Sequence, residues 1–426
     1  RFITGEQSTS LLRGITISGG NFAGGGISIQ GGASPTIMEC VLDGNHSGGY
    51  HSDGAGGGIQ CLGSARFIDC MIANNSTIPG EGPGGPGGGV YLDGNPVFEH
   101  CAFQGNLAGG SQGKGGAVYA APGSEPVFDR CTFRDNRAWS GAAAYLESGS
   151  ATFRDCAIAD HSTGLNGRGG GIFCSSNDLR LRHCVLSGNG AHLQGGAIHA
   201  VSSSPWIESC TFYGNFTDGE GGGVNLAAGS HARVDRTIIA STSWGGPVAC
   251  DQTSSVLASC VDLWDNAGGD YPGCLAGQLG INGNISSDPL FCDAANENFR
   301  LSTESPCSPV ENPSCGLIGA LPVGCGPASA VRDQGLAGAR GGVRSLSPVM
   351  PNPARGQATL RYQVPAAAHT LLTVHDVAGR TIAVLVDGMR PAGKHDALWN
   401  GRDDSGRLVP AGVYTCRLRA GRVRDA

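Results

Sequence analysis

Residues 87–106, GGGVYLDGNPVFEHCAFQGN, read as a glycine corner, a short strand, a turn and a second short strand that ends in Asn. The string returns as GGGIQCLGSARFIDCMIANN, GGAVYAAPGSEPVFDRCTFRDN and GGAIHAVSSSPWIESCTFYGN, with looser copies between them and a degenerate one over residues 11–21. A cysteine marks each copy, at Cys40, Cys70, Cys101, Cys131, Cys156, Cys184 and Cys210, and Thr237 takes its place in a further copy. Three residues earlier stand Ile37, Phe67, Phe98, Phe128, Phe153, Leu181 and Ile207, and two residues later Leu42, Ile72, Phe103, Phe133, Ile158, Leu186 and Phe212. Five residues after the cysteine comes Asn45, Asn75, Asn106, Asn136, Asn189 or Asn215, with His161 as the exception. Apolar columns predict an interior, and an Asn column predicts a capped corner.

The strand after the glycines alternates with period two, so Val90 and Leu92 face in and Tyr91 faces out. Gly or Pro breaks every copy within a few residues, which excludes helical repeats, while insertions such as STIPGEGPGGP fall at one corner. Constant strands with variable corners describe a solenoid. Nine or ten parallel turns at ~4.8 Å each predict a rod roughly 45 Å long, and parallel crossovers are right-handed.

Composition agrees. The chain has 426 residues, of which 73 are Gly, with 6% aromatic and 15% charged residues, so small stacked side chains must do the folding. A net charge of -7 argues against a nucleic-acid partner, and no apolar run is long enough for a membrane helix. The first residues already read as the middle of a repeat, so a segment is expected to precede Arg1.

The GGA(I/V) and FxxN strings resemble the repeats of polymorphic outer-membrane proteins, and the chain over roughly 1–325 resembles the right-handed parallel β-helix superfamily to which pectate lyases belong. That superfamily holds both polysaccharide enzymes and inert surface rods. Residues 1–287 are read as the β-helix and 288–325 as a cap that protects its open end. Residues 326–345, rich in Gly, Ala and Arg, are read as a linker. From 346 to 426 alternating strands predict a small β-sandwich. Through PNPARG, DVAGR, WNGRDDSGR and PAGVY it resembles the flagellar hook-capping Ig-like domain and the type IX secretion sorting domains. The resemblance implies a bacterial protein, secreted or held on the outer surface, with the secretion machinery as partner. Members of those families close on a longer strand than GRVRDA, so the last strand is expected to be short or lost. The fold class is therefore all-β, a right-handed parallel β-helix followed by an Ig-like sandwich.

Chemistry is harder to place. The outward column Gln60, Tyr91, Tyr119, Tyr145, Phe173, His199 and Asn225 offers aromatic faces to a polysaccharide or surface glycan, or else stacks on itself. Asp93 and Glu147 stand two turns apart, about 9–10 Å between backbones, near the separation of an inverting acid and base. Both sit at strand ends, where carboxylates also simply face water. Lys114, Arg137 and Arg168, on successive corner loops, could hold a uronate, although Asp53, Glu81, Asp218 and Glu220 share those loops and make a mixed solvated rim the preferred reading. His46, His51 and Asp53 share a flexible loop, and His183, His192 and His199 one turn, without the spacing of a metal site; neither a metal nor a cofactor is expected.

The cysteine column reads as reduced, buried thiols, since side chains of adjacent parallel rungs point alongside each other. Cys250, Cys260, Cys274, Cys292, Cys307, Cys315 and Cys325 fall in irregular segments where disulfides are expected, Cys307 with Cys315 as the preferred pair, and they point to an oxidising compartment. Two functional classes follow: a non-enzymatic adhesion or display rod with glycan as its candidate ligand, which is the preferred reading, and a polysaccharide lyase or glycoside hydrolase working on the outer face.

Overall fold

A computed structural model describes residues 2, 6–21, 24–48, 54–77, 84–326, 345–346, 357–364, 368–375, 381–391, 393–409 and 414–421. The chain forms two compact units, Arg1–Ser329 and Ala330–Ala426. The linker expected over 326–345 lies outside the described residues from 327 to 344.

The first unit is a coil of parallel strands, with no α-helix among the described residues. Each turn carries up to four strands rather than the two read from the sequence. In the turn that opens at Gly87 these are Val90–Leu92, Val97–Glu99, Ala102–Gln104 and Leu107–Ala108. Stacked turn on turn, they build four parallel sheets, here numbered 1 to 4 in the order the chain visits them, of nine, ten, ten and seven strands.

The extra bend has a local cause. The residue before each column cysteine is left-handed: Glu39, Asp69, His100, Arg130, Asp155, His183 and Ser209 have φ of 49–52°. It splits what reads as one strand into sheets 2 and 3. None of these residues is apolar or β-branched, which fits a conformation that L residues adopt reluctantly. A second left-handed residue precedes each Asn of the column, and a left-handed glycine precedes sheet 1. Gly88 is required for space as well, since a Cβ there would lie 2.3 Å from the Leu107 carbonyl carbon.

The interior is as the columns predict. Phe67, Phe98, Phe128 and Phe153 stack from turn to turn with centroids 4.5, 5.2 and 4.6 Å apart, and Phe103 stacks on Phe133 at 4.5 Å. All are buried. The Asn column is a continuous ladder: the amide nitrogen and Nδ2 of Asn45, Asn75 and Asn106 each donate to the Oδ1 of the next Asn at 2.9–3.1 Å. Each Nδ2 also donates to a carbonyl of the preceding turn, such as Ile72 O from Asn106 at 2.9 Å. Buried polar groups are thereby satisfied in series. His161 enters this ladder fully buried, with Nδ1 accepting from the Asn136 amide at 3.0 Å, so its proton sits on Nε2.

The column cysteines are buried thiols, as expected. Cys131, Cys156 and Cys184 donate to Phe98, Phe128 and Phe153 carbonyls at 3.4–3.5 Å. The pairing of Cys307 with Cys315 does not occur. Cys315 bonds Cys260, Cys250 bonds Cys274 and Cys292 bonds Cys325. Cys307 stays a thiol 3.0 Å from Asp262 Oδ2. Proximity in sequence misleads here because the chain brings residue 315 back over the last turn.

The end of the rod is closed earlier than expected. Leu275 packs into the main core with Tyr271 and Cys274 against it, and the Tyr271 hydroxyl lies 3.1 and 2.7 Å from the Val261 and Ile285 carbonyls. Residues 288–325 instead lie along the outer face of sheet 3. Phe291 and Phe299 pack on Tyr213, Ala320 N donates to Thr211 Oγ1 at 3.0 Å, and Glu297 pairs with Arg134 at 2.6 Å. The outward residues Ile238 and Ala240 are apolar, and that surface requires a cover.

The second unit is two three-stranded sheets, the strands of each paired antiparallel, around Leu360, Tyr362, Val364, Leu372 and Val386. Its last described strand, Thr415–Gly421, pairs along seven residues with Ala368–His375, and the closing stretch GRVRDA, expected to be short or lost, lies outside the described residues after Gly421. PNPARG and DVAGR lie outside the described residues.

Candidate functional site

The outward positions of sheet 1 stack in register, Gln60 beside Tyr91, then Tyr119, Tyr145, Phe173, His199 and Asn225. Ring centroids are 5.4 Å apart for Tyr91–Tyr119, 5.8 Å for Tyr119–Tyr145 and 4.5 Å for Tyr145–Phe173, with interplanar angles of 17°, 20° and 4°. The rings turn their faces to each other along the rod. Only 8% of Tyr119 and 9% of Tyr145 is exposed, so the column is not the open platform read from the sequence.

Beside it runs a corner column, in which Lys114 bridges to Ser140 and Arg168 to Gln194 and on to Glu220. Lys114 Nζ lies 3.1 Å from Glu147 Oε1 and 4.7 Å from the Tyr145 ring centre. Arg168 Nε donates to Gln194 Oε1 at 3.1 Å. Arg137 does not share this column. It lies in sheet 4, paired with Leu107 and Ser162.

Burial raises the phenols of Tyr91, Tyr119 and Tyr145, and nearby carboxylates, Glu147 at all three, add to it. Burial pulls Lys114 down, but Tyr145 and Glu147 outweigh it and the ammonium ends above its ordinary value. His199 is pushed down to about 4 by burial, with Arg168 adding to the effect. At neutral pH the face therefore holds neutral phenols, a neutral imidazole and one engaged ammonium–carboxylate pair.

Asp93 and Glu147 do stand two turns apart, since Leu92, Ala120 and Leu146 are in register. Between them is Ala121, buried against Tyr119 and Tyr145. Glu147 is committed to Lys114, while Asp93 is exposed. A general acid and base need a free approach to the scissile bond, and only Asp93 has one.

The histidines do not converge. His46 contacts Ser76 Oγ at 2.7 Å, and His51 and Asp53 lie outside the described residues, as does Glu81. His183 faces Asp155 at 3.5 Å and His192 faces Asp218 at 3.9 Å, each on a different side from His199. No group of three or more His, Cys, Asp or Glu able to hold a metal occurs among the described residues, and no helix there is long and apolar enough to cross a membrane.

Two features escaped the sequence. A cavity of about 240 Å³ lies between sheet 3 and residues 297–321, lined by Arg134, Cys156, His183, Glu297 and Phe299; no repeat period signals it, because the covering segment is irregular. An arginine cluster on sheet 2 is spread over three copies of the repeat and becomes a patch only when those copies stack.

Residues 116–270 match the family described as the right handed beta helix region, and residues 352–422 match the FlgD Ig-like domain. No curated protein matches the chain. The fold of the first unit is thus that of the right-handed parallel β-helix, and the second unit contains a FlgD-type Ig-like domain.

Proposed function

We propose that this protein is a non-enzymatic rod, exported by a bacterium and held on or beyond its outer surface, where it serves adhesion or display. One observation carries the reading. On sheet 1 the groups that carbohydrate chemistry would use are spent on one another, the ring faces in the ladder and Glu147 on Lys114. A face with one free carboxylate does not assemble the acid, base and cation set that hydrolysis or elimination requires.

Export is supported by three disulfides late in the first unit, which form and persist in oxidising compartments. The Ig-like unit takes the anchoring or sorting role, with a type IX-like secretion machinery as its partner, on the strength of WNGRDDSGR and PAGVY.

The test has two arms. Protease added to intact producing cells should remove the rod, and long incubation with uronate-bearing and neutral polysaccharides should leave chain length unchanged. Shortening abolished by Asp93→Asn with Glu147→Gln would instead establish an enzyme on sheet 1. A rod protected from protease in intact cells would refute the surface location.

A further inference from the structure

The outer face of sheet 2 carries a feature that the rod reading does not use. Arg180, Trp206, Arg233 and Leu257 follow one another in register on four successive strands, and Arg154 and Arg182 occupy the neighbouring column on the same face. Successive side chains in such a column stand ~4.8 Å apart. Four guanidiniums thus stand on three strands within four successive rungs of a chain whose net charge is -7.

Their carboxylate partners lie beneath them. Arg233 pairs with Asp235 at 2.6 Å, and its side chain is 61% exposed against 10% for the Asp. Arg182 lies 3.8 Å from Glu208, 59% against 17%, and Arg236 holds the same Glu208. Arg154 and Arg180 are exposed and make no ion pair among the described residues. Asp155 and Asp178 sit on the bounding turns, the former facing His183. In those pairs the guanidiniums are the outer groups, although Asp129 stands beside Arg154 in its column, paired with Arg130.

Trp206 stands amid these charges, 39% exposed, with the Arg233 guanidinium 5.6 Å from its ring centre. Unlike the tyrosines of sheet 1, it has no aromatic neighbour in its column: Arg180 and Arg233 flank it. A guanidinium above an indole is favourable, and the exposed part of the ring is left for an apolar sugar face.

We infer that the Arg154, Arg180, Arg182, Trp206 and Arg233 face of sheet 2 binds a linear anionic polysaccharide, with carboxylate or sulfate groups on the arginines and a sugar ring on Trp206. Guanidinium forks match carboxylates in bidentate fashion, and the indole supplies stacking that a bare polyanion cannot use. The inference rests on the rod reading only in needing an accessible outer surface.

Binding of the full chain to polygalacturonate is measured by affinity electrophoresis at low salt, with dextran and single-stranded DNA as comparison polymers. Polygalacturonate should retard the chain and dextran should not, and retardation should weaken as salt is raised to physiological strength. Arg154→Gln with Arg180→Gln should weaken polygalacturonate binding at least tenfold with unchanged thermal melting, because both side chains are exposed and point outward, and Trp206→Ala should weaken it at least threefold while the chain still melts cooperatively. No retardation by polygalacturonate, or retardation that survives both variants, overturns the proposal. DNA bound as tightly as polygalacturonate and unaffected by Trp206→Ala overturns it in favour of a plain polyanion surface. Shortening of the polymer would overturn the non-enzymatic rod and leave this surface standing, whereas loss of binding leaves the rod untouched.

Discussion

Cys131 and Cys315 carry the same side chain to opposite ends. In the coil, the register places each column cysteine beside its counterpart, all pointing the same way, so Cys40, Cys70, Cys131, Cys156 and Cys184 donate to a carbonyl of the turn before, and Cys101 and Cys210 to one in their own turn. Past residue 264 the chain doubles back, cysteines can face one another, and disulfides close loops of 24, 55 and 33 residues. Repetition supplies the coil with stacked phenylalanines and a shared Asn ladder, whereas residues 265–326 have few buried apolar side chains and rely on cross-links. A regular solenoid needs no covalent staple; its irregular cover does.

The contrast breaks most severely at the phenylalanine stack. Phe128→Ala removes a ring packed against Phe98, Phe103, Phe133 and Phe153 and should cost about 3–5 kcal/mol in denaturant unfolding of the first unit. Removing the Cys260–Cys315 bond by double Ala substitution should cost about 2–4 kcal/mol and expose residues 286–326 to protease first. Cys131→Ala should cost only about 1 kcal/mol. Thiol titration in denaturant should count eleven thiols before reduction and all 17 after it.

The ladder offers a pH test. Burial pushes His161 down to about 3 from an ordinary 6.5. The folded state keeps the imidazole neutral while the unfolded chain takes a proton below 6.5, so its contribution is complete above that pH and is lost as pH falls from 6.5 towards 3. His161→Asn restores the column residue and should retain about 2 kcal/mol more stability than the parent at pH 4.5, relative to pH 7.5. Equal pH dependence in the two proteins would mean that the histidine does not titrate on unfolding.

The outer ladder sets one stacked residue against one exposed residue. Tyr119→Ala should destabilise by roughly 1–2 kcal/mol, from lost stacking on two neighbours, while Asp93→Asn, exposed and unstacked, should stay within about 0.5 kcal/mol. If both are neutral to melting, the ladder contributes nothing to the rod and its edges become free to serve a ligand.

Much of this was legible in the residues themselves. Columns three before and two after each cysteine named the interior, because parallel stacking repeats one environment at every turn, and the Asn column announced itself for the same reason. The third corner was hidden: the left-handed residues before the cysteines are Glu, Asp, His, Arg and Ser, polar types common on any surface. Period and polarity determined which residues point in or out, and hence the β-helix and its thiols. Tertiary structure alone decided which cysteines bond, that residues 288–325 cover sheet 3, that the tyrosine faces are spent on each other, and that Arg180 and Arg233 flank Trp206. Each of these depends on distance between segments far apart in sequence, and a one-dimensional repeat fixes the direction of a side chain without fixing what the irregular parts of the chain bring to it.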